Sequence, residues 1–275
     1  ITNPRDRTAR KLLLQQKELS ESRDRERLRR CGDLVMANLY AIKRGQTVLR
    51  TQDFYDPELR EIDIPLQPQL SPQQNAARYY KEYAKAKNAE KVLGEQIERG
   101  SREKEYLESV LEELSRAETD RDIAEIRAEL EAQGYVRAQD RKKRMKQQPS
   151  SPMEFFSSGG FRLLVGRNNR QNDQLTLKTA HKQDIWLHAQ KIHGSHVIIC
   201  TGGAPVDDQT MTEAAELAAL YSQARGGQNV AVDATQVRNV KKPVGALPGM
   251  VIYDRYNTLY VTPDESLPER LSGNK

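Results

Sequence analysis

The chain has 275 residues, of which 37% are hydrophobic and 30% are charged, and its net charge is +5 at neutral pH. The mean hydropathy of −0.81 excludes one large compact core, and no apolar run is long enough to cross a membrane. The apolar content is nevertheless too high for a disordered chain. These values favour an extended helical part beside a smaller globular part, and the basic balance permits a polyanionic partner.

The two cysteines, Cys31 and Cys200, lie in apolar patterns far apart in the sequence. This placement is typical of reduced, buried thiols rather than of a metal site or a redox pair. No signal peptide opens the chain, so we predict a cytoplasmic protein. Ile1 is not a natural first residue, which indicates a fragment of a longer protein.

Residues 4–44 are predicted to form one long helix, with Pro4 in its first turn and Gly45 as its stop. Apolar side chains recur along it at steps of three and four residues. The seam they form contains Leu28, Cys31, Val35, Leu39 and Ile42, with Asn38 as an alternative to Leu39. Charges of both signs surround this seam, as is typical of a helix in a two-stranded coiled coil.

A small β tip is predicted over residues 46–70, where apolar and aromatic residues alternate with turn residues. Its candidate strands are Val48-Leu49, Phe54-Tyr55 and Glu61 to Leu66. The prolines that follow them are expected to make the exit from the tip extended and stiff.

A second helical stretch is predicted over residues 72–147, opened by Ser71 as N-cap and Pro72 as the first helical residue. Thr119 and Asp120 offer caps for a new helix, so we expect a break just before them. With the first helix, this stretch predicts a long antiparallel coiled-coil arm that carries the β tip. A long arm of this kind is suited to contacting a distant partner and is poorly suited to catalysis.

A basic run, Arg141 to Lys146, closes the helical region. It is either a solvated helix end whose cations complement the helix dipole, or a patch that contacts phosphates. A linker rich in Pro and Ser follows at residues 148–158. We therefore predict a first domain at residues 1–147 and a second at residues 159–275.

The second domain is predicted to be a small α+β domain, with a sheet covered by at least one helix. The expected strands are Phe161 to Val165, Leu175 to Leu177, Asp184 to His188, Val197 to Cys200 and residues 229–235, and residues 249–254 with 258–262 are expected to form a closing hairpin. The expected helix is amphipathic and spans residues 210–225.

One expected strand carries an unusual row of polar and aromatic side chains. Asp184, Trp186 and His188 alternate with Ile185 and Leu187, so the two sets occupy opposite faces of the strand. We expect the two aliphatic residues to face the core and the other three to form an exposed row. A Trp on a strand is often a core residue, so burial of Trp186 stays an alternative.

All four histidines and a run of amides lie close to this row, within residues 163–197. The amides are Asn168, Asn169, Gln171, Asn172 and Gln174. Because a core does not need that density of donors and acceptors, we predict a recognition surface. The segment Gly194-Ser195-His196 lies beside it, where a small residue lets another backbone or a phosphate approach closely.

Three segments carry a resemblance to a known family, namely VGRNNRQNDQLT, DIWLHAQKIHGSHV and VDATQVRNVKKPVGALPGMV. They resemble the RNA-binding module of the NFACT family, the ribosome quality-control factors of the RqcH type, whose bacterial members are often labelled fibronectin-binding protein A-like. The motifs cover residues 161–261, and residues 70–89 resemble the coiled-coil middle region of the family. The resemblance implies an arm followed by a compact α/β domain of the NFACT-R type.

The resemblance also implies a function. Family members bind the large ribosomal subunit carrying a stalled peptidyl-tRNA, engage tRNA and support untemplated alanine tailing of the nascent chain, which marks that chain for degradation. The implied partners are the rRNA and proteins of the large subunit, tRNA, and the N-terminal NFACT domain of the same polypeptide, with no cofactor and no membrane. That domain is absent here, so we do not expect this chain to be an enzyme or to perform tailing alone.

An RNA-reading face is the expected site of the second domain, because RNA recognition uses aromatic, cationic and amide side chains together. The expected RNA-binding residues are Arg167, Asn168, Asn169, Asn172, Asp184, Trp186, His188, Gly194, Ser195, His196, Lys241 and Lys242. Tyr253 and Tyr256 are further candidates for stacking on bases.

Two other functions compete with RNA binding. A zinc enzyme would use His188, His193 and His196, with Asp184 as ligand or base. No helical ligand pair, Walker loop, Rossmann glycine pattern or Ser/His/Asp order accompanies them, so this hypothesis is the least favoured. The fibronectin-binding label would make the protein a cell-surface adhesin, for which the sequence shows no secretion signal.

Overall fold

The computed structural model describes residues 1–21, 25–137 and 150–272, and its fold is α+β. The helices are α1 (Thr2–Glu21), α2 (Arg25–Ala37), α3 (Pro72–Arg116), α4 (Asp120–Ala132), α5 (Asn169–Gln174), α6 (Asp208–Leu220) and α7 (Leu267–Ser272). The strands are β1 (Val48–Gln52), β2 (Glu61–Pro65), β3 (Met153–Phe156), β4 (Arg162–Val165), β5 (Ile185–Ala189), β6 (Val197–Cys200), β7 (Val230–Gln236), β8 (Val240–Lys241), β9 (Ile252–Tyr253) and β10 (Asn257–Val261). Across these described ranges, no helix is long and apolar enough to cross a bilayer.

The chain divides into two compact units, and the boundary between them falls within α1 and within α3. The hairpin unit is Asp6–Glu103, and the sheet unit is Ile1–Arg5 with Lys104–Lys275. This boundary differs from the predicted linker because side chains from the end of α3 and from α4 pack in one core with Leu247 and Met250. The predicted domain boundary and the coiled-coil character of the arm stay predictions. The basic run Arg141 to Lys146 lies outside the described residues.

The hairpin unit combines helices with a two-stranded antiparallel β tip, in which Leu49 of β1 lies opposite Ile64 of β2. Both side chains enter a core formed with α2 and the start of α3. The buried residues of that core are Cys31, Leu34, Val35, Leu49, Ile64, Leu66, Ala76 and Tyr79. Further along α3, an added Cβ on Gly100 would lie 2.9 Å from Cδ2 of Leu12, so this glycine permits a close approach of two helices.

Two elements of the hairpin unit differ from prediction. The first helical region ends at Ala37 rather than at residue 44, because the side chain of Asn38 donates to the carbonyl of Leu34 (2.8 Å) and competes for a helix acceptor. Phe54 and Tyr55 lie in the turn between β1 and β2, not in a strand. Residues 22–24 lie outside the described residues, so the predicted continuity of one helix across them is untested.

The sheet unit is built on a six-stranded sheet in the order β10-β7-β5-β6-β4-β3, in which all neighbouring strands are antiparallel. α6 covers one face, which contributes Leu163, Leu187, Val197, Ile199 and Val232 to a shared core. The opposite face contributes Leu164, Trp186 and Ile198 to a second core, with Leu175, Val237 and Val240 above them. The central strands β5 and β6 are therefore buried on both faces.

α4 folds back on the end of α3 and forms a third core. Thr119 caps α4 in a capping box with Asp122, which confirms the predicted break in the second helical stretch. The apolar side chains between the helices include Tyr106, Val110 and Ile126. This pair of helices is the base on which α5 lies.

Three elements of the sheet unit differ from prediction. Leu175–Thr179 is a π-helical turn that continues from α5, so the predicted strand there is wrong. β9 pairs with β8, and β10 pairs with β7, so the predicted closing hairpin is also wrong. α6 ends at Leu220, five residues before the predicted end at 225.

Candidate functional site

The expected exposed row on β5 is wrong, because Trp186 is 0% exposed and Asp184 is 1% exposed. β5 does alternate as predicted, with Leu187 under α6 and Trp186 on the opposite face. That opposite face is covered by the chain that includes β8 and β9, so Trp186 presents no ring face to a ligand. His188 is half-buried.

Asp184 holds the two ends of neighbouring strands together. Its carboxylate accepts from the backbone N–H of His181 (2.7 Å) and of Thr201 (2.9 Å), and from the hydroxyl of Thr201 (3.4 Å). A buried carboxylate with these donors needs no external partner. Its role in the structure is to fix the entry to β5 beside the end of β6.

An aromatic and imidazole cluster surrounds Trp186. The ring of His188 is stacked on it (centroids 5.6 Å apart), His196 meets it edge-on (5.2 Å), and Tyr253 lies at 4.7 Å. Burial lowers the pKa of His188 to about 4 and the pKa of His196 well below its ordinary value. Both imidazoles are therefore neutral at pH 7, and neither supplies a positive charge for a phosphate.

Asp233, which is 1% exposed, anchors this cluster to β7 and β10. It accepts from the hydroxyls of Tyr253 (2.7 Å) and Thr258 (2.7 Å) and from Nε2 of Gln190 (3.0 Å). Burial and the nearby carboxylate raise the pKa of Tyr253, so its hydroxyl stays a donor. The indole Nε1 of Trp186 has no hydrogen-bond partner in the described part of the chain.

The amide run is used inside the sheet unit. Asn168 caps α5 by accepting from the N–H of Gln171 (2.9 Å), and it donates to Glu125 of α4 (2.9 Å). Gln171 donates to the same carboxylate (3.3 Å), and Asn169 donates to the hydroxyl of Ser109 on α3 (2.9 Å). These three amides are buried, so they attach α5 to the helical base instead of facing solvent.

Two glycines permit close packing of the protein on itself. An added Cβ on Gly166 would lie 2.1 Å from Oδ1 of Asn172, which accepts from the N–H of His196 (3.0 Å). An added Cβ on Gly194 would lie 2.8 Å from Cβ of Ser222. The close approach predicted at Gly194 is therefore that of another segment of this chain.

Arg116 at the end of α3 is bound inside the sheet unit. It donates to the hydroxyl of Ser195 (2.9 Å) and to the carbonyl of Tyr221 (2.7 Å). Near it lies Glu113, whose pKa is raised by burial and by the carboxylate of Glu129. Ser195 is 1% exposed, so the expected phosphate contact at this position lacks an accessible donor.

A cleft of about 320 Å³ lies beside Arg116 and also contains Arg167. Arg167 is half-buried, and its Nε donates to the carbonyl of Ser151 (3.2 Å). The carboxylates that line the same cleft are Glu113, Glu118, Asp122 and Glu154. This mixture of charges does not suit a polyanion.

The two adjacent lysines of the expected site have different roles. Lys242 forms an ion pair with Asp173 of α5 and donates to the carbonyl of Leu247 (3.0 Å). Asp173 also accepts from the N–H of Gly249 (3.2 Å), so the pair holds the loop after β8 against α5. Lys241 is exposed and is not part of an ion pair in the described ranges.

Three further exposed cations lie on or beside the segments that flank β8 and β9. We define the cationic face as Lys182, Arg238, Lys241 and Arg255, all of which are exposed. The N–H of Arg238 donates to the carbonyl of Lys182 (3.2 Å), and the hydroxyl of Thr235 donates to the carbonyl of Arg255 (3.1 Å). None of these four side chains forms an ion pair within residues 1–21, 25–137 and 150–272.

The histidines of the alternative zinc-enzyme hypothesis do not form a metal site in the described part of the chain. Within the part of the chain that the structure describes, no group of three or more His, Cys, Asp or Glu side chains could hold a metal ion. His188 and His196 contact each other edge-on (5.4 Å), whereas His193 lies among the carboxylates of α3, including Glu105 and Glu108.

Two family models match this chain. The model of the NFACT N-terminal and middle domains matches residues 1–149, and the model of the NFACT protein RNA binding domain matches residues 152–251. The chain belongs to the NFACT family. The two models match residues of both compact units, and the predicted resemblance is confirmed.

Relatives extend the comparison. The chain is 42% identical over 266 residues to the Rqc2 homologue RqcH of Bacillus subtilis and 39% identical to that of Streptococcus suis. Each alignment covers 96% of this chain but only 46% and 47% of the relative, respectively. A solved structure, the C-terminal part of the fibronectin/fibrinogen-binding protein from Streptococcus suis, is 33% identical with a TM-score of 0.76 and covers 98% of this chain and 94% of that chain.

Three of the four residues of the cationic face lie within the match to the NFACT RNA-binding model. Lys182, Arg238 and Lys241 lie within residues 152–251, and Arg255 lies beyond that match. Of these four residues, sequence reasoning identified only Lys241. Arg238 lies three residues before Lys241, but Lys182 and Arg255 lie in other parts of the sequence. Their membership of the set is revealed by the contact of Lys182 with Arg238 and of Arg255 with Thr235.

Proposed function

We propose that this chain works within a cytoplasmic ribosome quality-control factor that binds the large ribosomal subunit carrying a stalled peptidyl-tRNA, engages tRNA and supports alanine tailing of the nascent chain. Membership of the NFACT family and the 42% identity to RqcH of Bacillus subtilis support this proposal. An N-terminal NFACT domain is the proposed partner in the same polypeptide. Tailing would then depend on the ribosome and not on a catalytic group of this chain.

The cationic face is the observation that carries RNA binding. Exposed cations without carboxylate partners attract phosphates, and an RNA that binds them releases counterions, which strengthens the association at low salt. Three of the four cations lie within the residues matched by the NFACT RNA-binding model. We therefore place direct RNA contact here, and we assign the buried Asp184 and Trp186 to the support of the surrounding fold.

The hairpin unit is the proposed contact with a ribosomal surface. Large side chains are exposed in the turn between β1 and β2, namely Phe54 (51%) and Leu59 (49%), and in the segment before β1, namely Tyr40 (88%). Exposed apolar side chains grouped near a turn are typical of a surface that binds a partner. This contact would position the sheet unit near RNA, whatever the sequence of that RNA.

The adhesin hypothesis follows from the fibronectin-binding label, which the Streptococcus suis structure also carries, and that name describes that protein. The match to an RNA-binding domain over residues 152–251 favours RNA over an extracellular protein as the ligand. A direct comparison of the two ligands forms part of the test.

The test is binding of the chain to labelled tRNA and to isolated large ribosomal subunits across a salt series. Replacing Arg238 and Lys241 together by Glu is expected to weaken both associations. Each lost phosphate contact lowers the slope of log affinity against log salt by about 0.7 to 0.9, so the double variant should reduce the slope by roughly 1.5. Circular dichroism and the fluorescence of Trp186, the single Trp, report whether the fold is intact.

The matched control replaces Arg225 and Arg270 by Glu, because both are exposed and change the net charge by the same amount. This control should keep the wild-type slope. Equal losses in the two double variants would contradict a localised face. Binding to immobilised fibronectin in the absence of any binding to RNA or ribosomes would favour the adhesin.

A further inference from the structure

Tyr256 is an exposed aromatic residue that directly follows Arg255 of the cationic face in the chain. Its side chain is 47% exposed, and its ring meets the ring of Tyr253 edge-on with centroids 5.3 Å apart. Tyr253 is itself fixed, because its hydroxyl donates to the buried Asp233 (2.7 Å) and its ring packs on Trp186 (4.7 Å). Tyr256 is thus an aromatic surface that is supported from behind and open to solvent.

The turn that carries Tyr256 has an unusual backbone. Arg255 has a φ of 51°, in the left-handed region that few residues with large side chains adopt. The hydroxyl of Thr235 donates to the carbonyls of Asp254 (3.0 Å) and Arg255 (3.1 Å), and Asn239 donates to the same hydroxyl (2.9 Å). These contacts hold Arg255 and Tyr256 at the tip of the turn. Strained backbone of this kind is concentrated at functional sites.

The strands beside this turn add an apolar and a cationic group. Lys241 of β8 lies opposite Ile252 of β9, and cross-strand partners project from the same side of a two-stranded ribbon. Ile252 is 58% exposed. Apolar surface, an open aromatic ring and unpaired cations therefore lie on adjoining segments, with Asp254 as a carboxylate in the same turn.

This combination fits unpaired nucleotides better than other polyanions. A base offers a flat face for Tyr256, and the phosphates on either side of it carry the charge that Arg238, Lys241 and Arg255 complement. A duplex hides its base faces in the stack, so it could use the cations but not the ring. An acidic peptide could likewise use the charges, but it has no base to stack.

We propose that the cationic face and Tyr256 together hold unpaired RNA, with one base stacked on the ring of Tyr256 and the neighbouring phosphates bound by Arg238, Lys241 and Arg255. This inference rests on the proposed RNA-binding function and specifies the ligand class of the same site. It assigns a function to Tyr256, which lies beyond the residues matched by the RNA-binding family model.

The experiment measures fluorescence anisotropy of the chain with a short labelled oligoribonucleotide, used unpaired or annealed to its complement. Tyr256→Ala should weaken binding of the unpaired strand by about tenfold, as is typical when a stacking ring is removed. Tyr256→Phe should keep the affinity within about twofold, because stacking needs the ring and not the hydroxyl. Binding of the duplex should not change in either variant.

The matched control is Tyr260→Ala, which removes an exposed tyrosine (65% exposed) of β10 outside the cationic face and should leave both affinities unchanged. A second readout is photo-cross-linking of RNA that contains 5-iodouridine, for which Tyr256 is the expected site of attachment.

The outcomes separate this inference from the proposed function. If the Arg238 and Lys241 charge reversals abolish binding while Tyr256→Ala does not alter it, the face binds RNA through charge alone and the stacking inference is overturned. Equal or tighter binding of the duplex also overturns it. If the chain binds neither unpaired nor duplex RNA at low salt, the proposed RNA-binding function fails as well.

Discussion

The two faces of the six-stranded sheet are covered in different ways. On one face α6 places Ala214, Leu217 and Ala218 against aliphatic side chains of the strands. On the other face Trp186 and the neutral imidazoles lie under β8, β9 and the loop between them, without a long helix. The first face is packed by apolar side chains, whereas the second combines aromatic packing with hydrogen bonds and an ion pair.

The difference indicates how each face is stabilised. Apolar area spreads the stability of the α6 face over many small contacts, and none of them depends on pH. The face of Trp186 depends on a few specific groups, each of which one substitution removes. We therefore expect the Trp186 face to respond to acid and to single polar changes, and the apolar contacts between α6 and the sheet to respond to neither.

Removing Trp186 should have the largest effect. Trp186→Ala deletes a fully buried side chain and should lower the free energy of unfolding by about 3–5 kcal/mol. Trp186→Phe should cost much less, because Nε1 has no partner among the described residues and a phenyl ring keeps most of the packing. Urea denaturation followed by circular dichroism measures both.

The matching change on the α6 face is Leu217→Ala, for which we expect a loss of about 2–5 kcal/mol. If Trp186→Phe costs as much as Trp186→Ala, the indole N–H is engaged by a hydrogen bond, and the view that this face depends on packing of the ring is wrong.

Acid should destabilise the protein through the Trp186 face. Burial lowers the pKa of His188 to about 4 in the folded state, whereas the pKa of an unfolded His is about 6.5. The unfolded state therefore binds more protons between these values. The free energy of unfolding should therefore be unaffected by His188 above about pH 6.5. It should fall by an amount on the order of 1–3 kcal/mol as the pH drops toward about 4. Thermal melting across this range measures it.

The control for the pH effect is His188→Gln, which should flatten the dependence of stability on pH. The groups that face His188 are His193, His196, Asp233 and Arg116. The buried carboxylates between α3 and α4 act in the opposite direction, because their raised pKa values cost stability as the pH rises. Variant and wild type must therefore be compared in the same buffers. An unchanged slope would assign the acid response to another group.

The smallest effect is expected at the ion pair that holds the loop after β8. Lys242→Met removes the contacts with Asp173 and with the carbonyl of Leu247, at a cost of about 1 kcal/mol in global stability. Amide hydrogens of residues 242–251 should exchange faster, while those under α6 should not. Lys241→Met is the matched control, since that side chain is exposed and forms no ion pair in the described ranges. Similar exchange in the two variants would show that other contacts hold this loop.

The alternation of β5 shows which structural features a local sequence pattern can predict and which it cannot. It predicted that Leu187 and Trp186 lie on opposite faces, and the two separate cores confirm this. It did not predict the cover over Trp186, because that cover comes from Val240 and Tyr253, which lie far along the chain. The expectation of an exposed row was wrong for this reason.

The amide run shows the same limit of the sequence for polar groups. Its composition correctly indicated many hydrogen bonds, but it could not identify their partners. Asn168 and Asn169 donate to Glu125 and Ser109, on helices that the sequence had assigned to another domain. A donor-rich segment is a recognition surface only if no other part of the same chain satisfies it.

The sequence by itself determined the α+β class, the helix starts at Ser71 and Thr119, the alternation of β5 and, through its motifs, the family. The tertiary structure decided which polar side chains are hydrogen-bonded inside the fold and which cationic side chains are exposed on one part of the surface. The physical reason is that caps and alternating faces depend on neighbours at fixed spacing, whereas burial and charge density depend on segments that only folding brings together.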